Sequence, residues 1–127
     1  MKRWAYFLPA LGEYGLIFFL SSRPRFPVEA PFAGFDKIVH GLEFAALGFL
    51  LAFGFLRNRR CPGFPAVFLL WTGGSFLGLL DEIHQIYVPN RHFDLWDAAA
   101  DVIGAAFGIG LYWWVGKKRQ ARRAPRT

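Results

Sequence analysis

Four long apolar stretches, each close to the length that crosses a bilayer, constrain this chain more than any other feature. They cover about residues 4–20, 37–56, 64–88 and 95–116. A membrane-spanning helix needs about 20 mostly apolar residues, with a range of roughly 17–25. Because no stretch alternates steadily between apolar and polar residues, and only helices or closed barrels can span lipid, we expect helices. The sequence therefore predicts one all-α domain over residues 1–127, an integral membrane protein built as a bundle of four transmembrane helices.

The composition excludes several other classes. Hydrophobic residues make up 54% of the chain and charged residues 19%, whereas average soluble domains carry about 25% charged residues. This apolar content excludes a disordered chain. A single cysteine, Cys61, excludes a disulfide framework and a cysteine-based metal motif.

The basic residues predict how the bundle is oriented. Eleven of the 15 lysines and arginines lie in three clusters, at Lys2 and Arg3, at residues 57–60, and in a basic tail at residues 117–127. Because each helix reverses the chain, these clusters share one side, and the opposite side holds only Arg23, Arg25, Lys37 and Arg91. Basic residues in short loops favour the cytoplasm, so both termini are predicted to be cytoplasmic. The tail is expected to contact anionic lipid head groups, and no nucleic-acid partner is expected.

The acidic residues are concentrated toward the predicted outer side, with Glu13 as the exception. Glu43, Asp81 and Asp101 belong to three different helices and lie about 9–10 Å inside the outer helix ends, at about 1.5 Å per residue. A charged group at that depth in lipid is costly unless it faces water, a partner or a proton. The three carboxylates are therefore predicted to face the interior of the bundle.

Helical spacing predicts that the polar faces converge. Asp36, His40 and Glu43 share one face of the second helix. Acids and glycines share one stripe on each of the next two helices: Gly74, Gly78, Asp81 and Gln85, then Asp97, Asp101, Gly104 and Gly108. Such glycines let helix backbones approach closely in lipid. The sequence thus predicts a tight bundle below the acids and an outward-facing polar pocket above them.

The segment from the end of the third helix into the fourth carries polar residues at a distinctive spacing. It comprises Asp81-Glu82-Ile83-His84-Gln85, then Pro89-Asn90-Arg91, then Asp97 and Asp101 before Gly104. Two weaker matches precede it, Ser21-Ser22 and Asp36-Lys37-x-x-His40. This pattern resembles the signature of the VanZ-like family of small bacterial membrane proteins, which takes its name from a protein associated with teicoplanin resistance. The family usually has Gly where this chain has Asn90, and either residue can occupy a left-handed turn.

The resemblance implies a multi-pass protein of the bacterial cytoplasmic (inner) membrane. It also implies action at the outer face, on the cell envelope or on lipid-linked material, and it implies no particular reaction. The mechanism has to come from the residues themselves.

One interpretation is a site that binds an envelope lipid or a glycopeptide-related ligand at the outer face. Arg91, Lys37 and Arg23 would capture a phosphate or carboxylate, because the planar guanidinium group of Arg matches phosphate oxygens. The candidate binding residues are Lys37, His40, Glu43, Asp81, Gln85, Arg91, Asp97 and Asp101. The expected partners are membrane lipids and a lipid-linked envelope intermediate or a glycopeptide.

A second interpretation is a divalent-metal-dependent hydrolase or transferase that acts on a lipid phosphate. The acids and histidines offer enough oxygen and nitrogen ligands for Mg²⁺ or Mn²⁺, with His40 or His84 as general base. The candidate metal ligands are His40, Glu43, Asp81 and Asp101. The candidate catalytic residues are His40, Glu43, Asp81 and His84.

A third interpretation is a structural scaffold, in which the acids form ion pairs and helix caps and do no chemistry. Asp36 and Asp94 are predicted to be the N-caps or first-turn residues of the second and fourth helices. Glu82 points about 100° away from Asp81 and is expected to meet the membrane interface. The ligand, the metal, the role of Glu13 and the oligomeric state are left open by the sequence.

Overall fold

The chain folds into four α-helices preceded by a short 3-10 helix. In the computed structural model, which describes residues 2–24, 29–57 and 62–123, the 3-10 helix Arg3–Phe7 leads directly into α1 (Leu8–Ser21). Three longer helices follow, α2 (Phe35–Leu56), α3 (Phe64–Gln85) and α4 (Leu95–Arg123). These described ranges contain no β-strand, so the predicted all-α fold is confirmed. Five residues considered above lie outside the described residues: Arg25, Arg59, Arg60, Cys61 and Arg126.

Local chemistry places two boundaries differently from the prediction. α2 begins at Phe35, two residues before the predicted start, and follows Gly34, whose φ of 87° is a conformation that glycine adopts without strain. α3 ends at Gln85, three residues before the predicted end. The helical conformation is disfavoured at Val88 because Pro89 follows it.

α4 is longer than predicted. It was expected to end near residue 116, with a separate basic tail at 117–127, but it continues to Arg123. Residues 117–123 consist of Lys, Arg, Gln and Ala, which are good helix formers, and include neither Gly nor Pro. The described part of the tail is therefore a basic extension of the helix.

Three of the four helices, α2, α3 and α4, are long and apolar enough to cross a membrane. The 22 residues of α2 and of α3 make each about 33 Å long, against about 30 Å of hydrocarbon in a bilayer. α1 was predicted over about residues 4–20, but the α-helix begins at Leu8, after the 3-10 helix, and has Pro9 in its first turn, where proline is tolerated. Its 14 residues reach about 21 Å. The outer faces of the long helices are apolar, and about two-thirds of the surface of each of Leu42, Ile103 and Phe107 is exposed.

α2 and α4 run parallel and pack most extensively, because glycines let their backbones meet. A Cβ at Gly104 would collide with the backbone of Gly41, and a Cβ at Gly108 with the backbone of Ala45. In lipid, van der Waals contact of this kind is a main attraction between helices. The glycine stripe predicted on α4 is thus an interhelical contact.

The other two helices complete the bundle. α3 runs antiparallel to α4, and the indole Nε1 of Trp71 donates a hydrogen bond of 3.1 Å to the carbonyl oxygen of Val102. α1 runs antiparallel to α2 and shares with it a small apolar core of Ala10, Ile17, Phe44 and Leu47. The middle of the bundle is therefore held together mainly by apolar packing.

The bundle has two chemically different ends. One end, here called the basic end, is formed by the start of the 3-10 helix, the end of α2 and the C-terminal part of α4. There the Arg57 guanidinium carbon lies 4.7 Å from the centroid of the Tyr6 ring. A cavity of about 760 Å³ at this end is lined by residues that include Arg57, Lys117, Arg119 and Arg123. The opposite end, here called the polar end, is formed by the C-termini of α1 and α3 and the N-termini of α2 and α4. The described parts of the three basic clusters share one end of the bundle, as their spacing predicted.

Candidate functional site

Four ionisable side chains from three helices meet inside the polar end. Nδ1 of His40 on α2 lies 3.0 Å from Oδ1 of Asp101 on α4 and 3.8 Å from Oε1 of Glu82 on α3. The other ring nitrogen, Nε2, lies 3.9 Å from Oδ2 of Asp97, one turn before Asp101. All four residues are buried, and Glu82 and Asp101 are 0% exposed. We call His40, Glu82, Asp97 and Asp101 the buried cluster.

Glycines make room for these side chains. Gly78 of α3 faces Asp101, and a Cβ at Gly78 would lie 2.7 Å from the Cβ of Asp101. On α4, Gly104 follows Asp101 by three residues and rests on Gly41, the residue after His40. The close approach of three backbones thus brings the buried cluster together.

The two nitrogens of the His40 ring face different carboxylates. A neutral imidazole carries a proton on one nitrogen and a lone pair on the other. With the proton on Nδ1, the ring donates to Oδ1 of Asp101 at 3.0 Å, and the lone pair on Nε2 faces Oδ2 of Asp97 at 3.9 Å. With the proton on Nε2, the lone pair on Nδ1 faces Asp101 and Glu82. In each neutral form a lone pair faces a carboxylate, so the buried cluster favours a second proton or a metal cation on the ring.

Three buried carboxylate oxygens have no hydrogen-bond partner among the described residues. They are Oε1 of Glu82, Oδ2 of Asp101 and Oδ1 of Asp81. Leaving a buried acceptor unpaired costs about 1–3 kcal/mol, and more for a charged group. Since native proteins leave few such groups, these oxygens mark positions for a proton, water or a ligand.

Lys37 joins three further carboxylates beside the buried cluster. Its Nζ lies 3.0 Å from Asp36, 3.1 Å from Asp94 and 3.1 Å from Asp97. An ammonium group has three hydrogens to donate, and these three carboxylates accept them. Lys37, which was predicted as a ligand for an anion, links α2 to the start of α4 through these contacts.

Asp94 is the N-cap of α4, which confirms the predicted capping role. Its Oδ1 accepts a hydrogen bond of 2.8 Å from the backbone N–H of Trp96, and its own N–H donates to Oε2 of Glu82 at 3.0 Å. The hydrogen bond from Trp96, with the ammonium group of Lys37 nearby, holds the pKa of Asp94 below its ordinary value. Asp36 lies in the first turn of α2, also as predicted.

A cavity of about 90 Å³ lies beside the buried cluster, between α1, α2 and α3. Its polar lining comprises Ser21, His40, Glu43, Asp81, Gln85 and Arg91, and its apolar lining Ile17, Leu20 and Val39. A cavity needs about 10–15 Å³ to hold one water molecule, so this one has room for several waters or for one small polar group. His40 belongs to both the buried cluster and the cavity, so the two adjoin.

Hydrogen bonds hold the cavity lining in place. Nε of Arg91 donates to the backbone oxygen of Arg23 at 3.1 Å, which ties the turn after α3 to the segment after α1. Nε2 of Gln85 donates to Oδ2 of Asp81 at 3.4 Å. Asn90 has a φ of 62°, the left-handed conformation expected at this position.

The structure divides the predicted site residues into three groups. His40, Asp97 and Asp101 belong to the buried cluster, with Lys37 beside it. The cavity lining takes four others together with His40: Glu43, Asp81, Gln85 and Arg91. His84, a candidate catalytic residue, lies apart from both groups.

His84 contacts α1. Its Nε2 lies 2.9 Å from Oγ of Ser22, and its ring stacks on Phe18 with the centroids 4.3 Å apart. The described contacts of His84 therefore belong to the packing of α3 on α1.

Glu82 is the residue that the sequence interpretation misplaced. It was expected to meet the membrane interface, but it is 0% exposed and points into the buried cluster. Ligand atoms of His40, Glu82 and Asp101 lie within 4.8 Å of one another, so Glu82 joins two of the predicted metal ligands. The other two, Glu43 and Asp81, line the adjoining cavity. The physical reason is that α3 packs against α4 as well as α1, and its buried face is wider than a single stripe. Gly78 and Glu82 are four residues apart and share one face of α3, and this spacing could have indicated from the sequence that Glu82 is buried.

The fold and the charge distribution define a class of protein. Three helices can cross a membrane, their outer faces are apolar, and the described charged residues, apart from the half-buried Glu13, lie inside the bundle or at its ends. This is the arrangement of an integral membrane protein, in which ionisable side chains within the helices turn away from lipid.

The family follows from comparison with known proteins. A family model described as VanZ/LLP1 matches residues 4–116. The chain therefore belongs to the VanZ/LLP1 family, and the resemblance found in its signature segment is confirmed. The matched range includes both the buried cluster and the cavity. The comparisons with curated proteins and with solved structures return no match.

Proposed function

We propose that this protein is a multi-pass protein of the bacterial cytoplasmic membrane that binds the head group of an envelope lipid at the outer face. The observation that carries the proposal is the cavity at the polar end, where a guanidinium group, an amide and carboxylates converge. The head group would carry a phosphate together with hydrogen-bond donors.

The proposal includes four membrane crossings. The 3-10 helix and α1 are continuous over residues 3–21. At about 2.0 Å per residue for the 3-10 helix and about 1.5 Å for α1, together they reach about 31 Å, close to the thickness of the hydrocarbon core. Exposed Leu11 and Phe19 on α1 are suited to contact with lipid. Four crossings put both termini on the same side.

The basic end is proposed to face the cytoplasm. Basic residues near helix ends favour that side, and each is attracted to the anionic cytoplasmic leaflet by about 1 kcal/mol. Nζ of Lys117 and Nζ of Lys118 lie 3.9 Å from the ring centroids of Trp113 and Trp114, respectively. Tryptophan beside lysine is typical of a membrane–water interface. The polar end and its cavity would then open to the outside.

Arg91 is proposed as the ligand for the phosphate. Lys37 is less suitable, because three carboxylates surround its ammonium group. Arg91 lines the cavity and is oriented by its hydrogen bond to the backbone of Arg23. A guanidinium group offers five donors in a planar fork that matches phosphate oxygens.

The carboxylates of the cavity restrict the rest of the head group. Glu43 and Asp81 present carboxyl oxygens to the cavity, and in their ionised form these accept hydrogen bonds and donate none. They would therefore favour hydroxyl or ammonium groups attached to the phosphate and would repel a second anionic group. A phosphate that bears a polyol or an amine fits this pattern.

The test is binding of a short-chain phospholipid to the purified, delipidated protein in mild detergent. Dihexanoylphosphatidylglycerol should bind, and dihexanoylglycerol, which lacks the phosphate, should not. Arg91→Gln should weaken binding by about 10–100-fold, because a hydrogen bond to a charged group contributes about 1.5–3 kcal/mol. Arg3→Gln, which removes the same charge at the basic end, is the matched control and should bind as the wild type does. Equal binding by the Arg91 and Arg3 variants would contradict the proposal.

A metal-dependent hydrolase or transferase acting on the lipid phosphate is the second candidate function. It is favoured by the position of His40, Glu82 and Asp101 directly beside the cavity. This function requires turnover, so incubation of the phospholipid with protein and Mn²⁺ in water should hydrolyse one P–O bond of the phosphodiester. The products, dihexanoylphosphatidic acid and glycerol or dihexanoylglycerol and glycerol phosphate, are detected by mass spectrometry.

A further inference from the structure

We propose that Nδ1 of His40 and the carboxylates of Glu82 and Asp101 bind a divalent metal ion inside the buried cluster. The three side chains come from α2, α3 and α4, and their ligand atoms lie within 4.8 Å of one another. The metal site stands independently of head-group binding, because Glu82 and Asp101 are not part of the cavity lining.

Within the part of the chain that the structure describes, an unpaired oxygen of Glu82 faces this site, and a second unpaired oxygen belongs to the Asp101 carboxylate, whose Oδ1 lies 3.0 Å from Nδ1 of His40. Oε1 of Glu82 and Oδ2 of Asp101 have no hydrogen-bond partner among residues 2–24, 29–57 and 62–123, and both residues are 0% exposed. Oε1 of Glu82 is also the atom that approaches Nδ1 of His40. A carboxylate oxygen and an imidazole nitrogen can both bind the same metal ion as ligands.

Charge favours a divalent ion over a single proton. With His40 protonated, one positive charge would face the carboxylates of Glu82, Asp97 and Asp101. A divalent ion bound to neutral His40 supplies twice that charge at the same place. Lys37 offsets part of the negative charge of Asp97, so the metal ion would chiefly neutralise the charges of Glu82 and Asp101.

The surroundings of His40 suit a metal ligand. Histidines that bind metals usually donate their other ring N–H to a carboxylate or carbonyl group, which fixes the ring orientation. Here Nε2 faces Oδ2 of Asp97, 3.9 Å away, while Nδ1 faces the site. Asp97 would then be a positioning residue, which requires this distance to close to about 3 Å when the metal binds.

The ligand set indicates the kind of ion. Imidazole suits Zn²⁺ and the later transition metals, whereas carboxylates also suit Mg²⁺, Ca²⁺ and Mn²⁺. One nitrogen and two carboxylates match Mn²⁺ or Zn²⁺ better than Ca²⁺, which prefers oxygen ligands only. His40 also lines the cavity, so the proposed metal site and the cavity adjoin.

The experiment measures metal binding by the full-length protein in mild detergent after removal of metals with EDTA. Mn²⁺ and Zn²⁺ are added separately, and bound metal is determined after gel filtration, together with the thermal stability. We expect stoichiometric binding of Mn²⁺ or Zn²⁺ and a higher melting temperature, since a ligand of the native state stabilises it. For bound Mn²⁺, pulsed electron paramagnetic resonance should detect coupling to an imidazole nitrogen.

Variants separate a metal site from a merely structural cluster. Glu82→Gln should abolish stoichiometric binding, and Asp97→Asn should weaken it by about 10–100-fold, as expected for a positioning residue. Glu13→Gln is the matched control, because Glu13 is a half-buried carboxyl residue of α1 outside the cluster, and it should bind as the wild type does. Failure of the wild-type protein to bind either metal, absence of nitrogen coupling in a Mn²⁺-bound protein, or wild-type binding by folded Glu82→Gln would each overturn the proposal.

Discussion

Replacing Gly104 with Ala adds one methyl group where α4 touches the backbone of α2. The new Cβ would lie 3.0 Å from the carbonyl carbon of Gly41 and 3.1 Å from its Cα, and closer still to its carbonyl oxygen. Carbon atoms are in favourable contact at about 3.5–4.0 Å, so the two helices have to separate by about 0.5–1 Å. Backbone atoms cannot rotate aside as the end of a flexible side chain can, and the separation therefore affects the interface around them.

The size of the effect follows from that displacement. A gap of about 0.5–1 Å forfeits roughly a quarter to a half of the attraction between facing atoms. Overpacking of a tight interface costs about 1–3 kcal/mol. We therefore expect Gly104→Ala to lower the free energy of unfolding by about 1–3 kcal/mol. Because Asp101 lies three residues earlier, its 3.0 Å hydrogen bond with His40 should weaken too.

Gly110 provides the control on the same helix. A Cβ at Gly110 would meet nothing within 4 Å, so Gly110→Ala should leave stability unchanged or raise it by up to about 1 kcal/mol through helix propensity. Reversible unfolding in mixed detergent and SDS micelles, followed by circular dichroism, gives both free energies. Wild-type stability of Gly104→Ala, or an equal loss in Gly110→Ala, would refute the close backbone contact.

Three further predictions concern the polar end. Lys37→Met should lower the free energy of unfolding by at least about 1 kcal/mol, measured by the same unfolding assay, because buried Asp97 loses its cation; restoration by the double variant with Asp97→Asn would confirm the pairing. The pKa of Asp94 is lower in the folded than in the unfolded protein, so its stabilisation is complete above the unfolded pKa of about 4 and is lost as the pH falls through the folded value. The drop in melting temperature between about pH 7 and about pH 3 should accordingly be smaller in Asp94→Asn than in the wild type. Gly78→Ala should displace the side chain of Asp101 and weaken Mn²⁺ binding in the metal assay, and wild-type affinity would contradict the packing.

Helix positions were largely predictable, because they depend on contiguous residues. The predicted starts at Phe64 and Leu95 and the predicted end at Leu56 are those of the structure. The apolar pattern failed at the end of α4, since it reports where lipid-compatible residues stop and not where helical hydrogen bonding stops. Basic residues that form helices well extended α4 beyond it.

The composition of the candidate site was predictable only in part. Spacing indicated that His40, Asp97 and Asp101 face the interior, and the structure brings them together. It did not indicate that Glu82 joins them in place of Glu43. A helical wheel gives the direction of a side chain on its own helix, but it does not give the neighbour found in that direction.

The sequence by itself determined the class of protein, its helices and its two chemically different ends. Each of these depends on a run of neighbouring residues: apolar length against bilayer thickness, and the placement of Lys and Arg outside it. The tertiary structure decided which carboxylates share a site. That choice depends on the register between helices, which is set where Gly104 and Gly108 rest on the backbone of α2. Advancing one residue along a helix rotates the side-chain direction by about 100° and shifts it by about 1.5 Å, so the partners of His40 depend on contacts between helices and not on the sequence of any one of them.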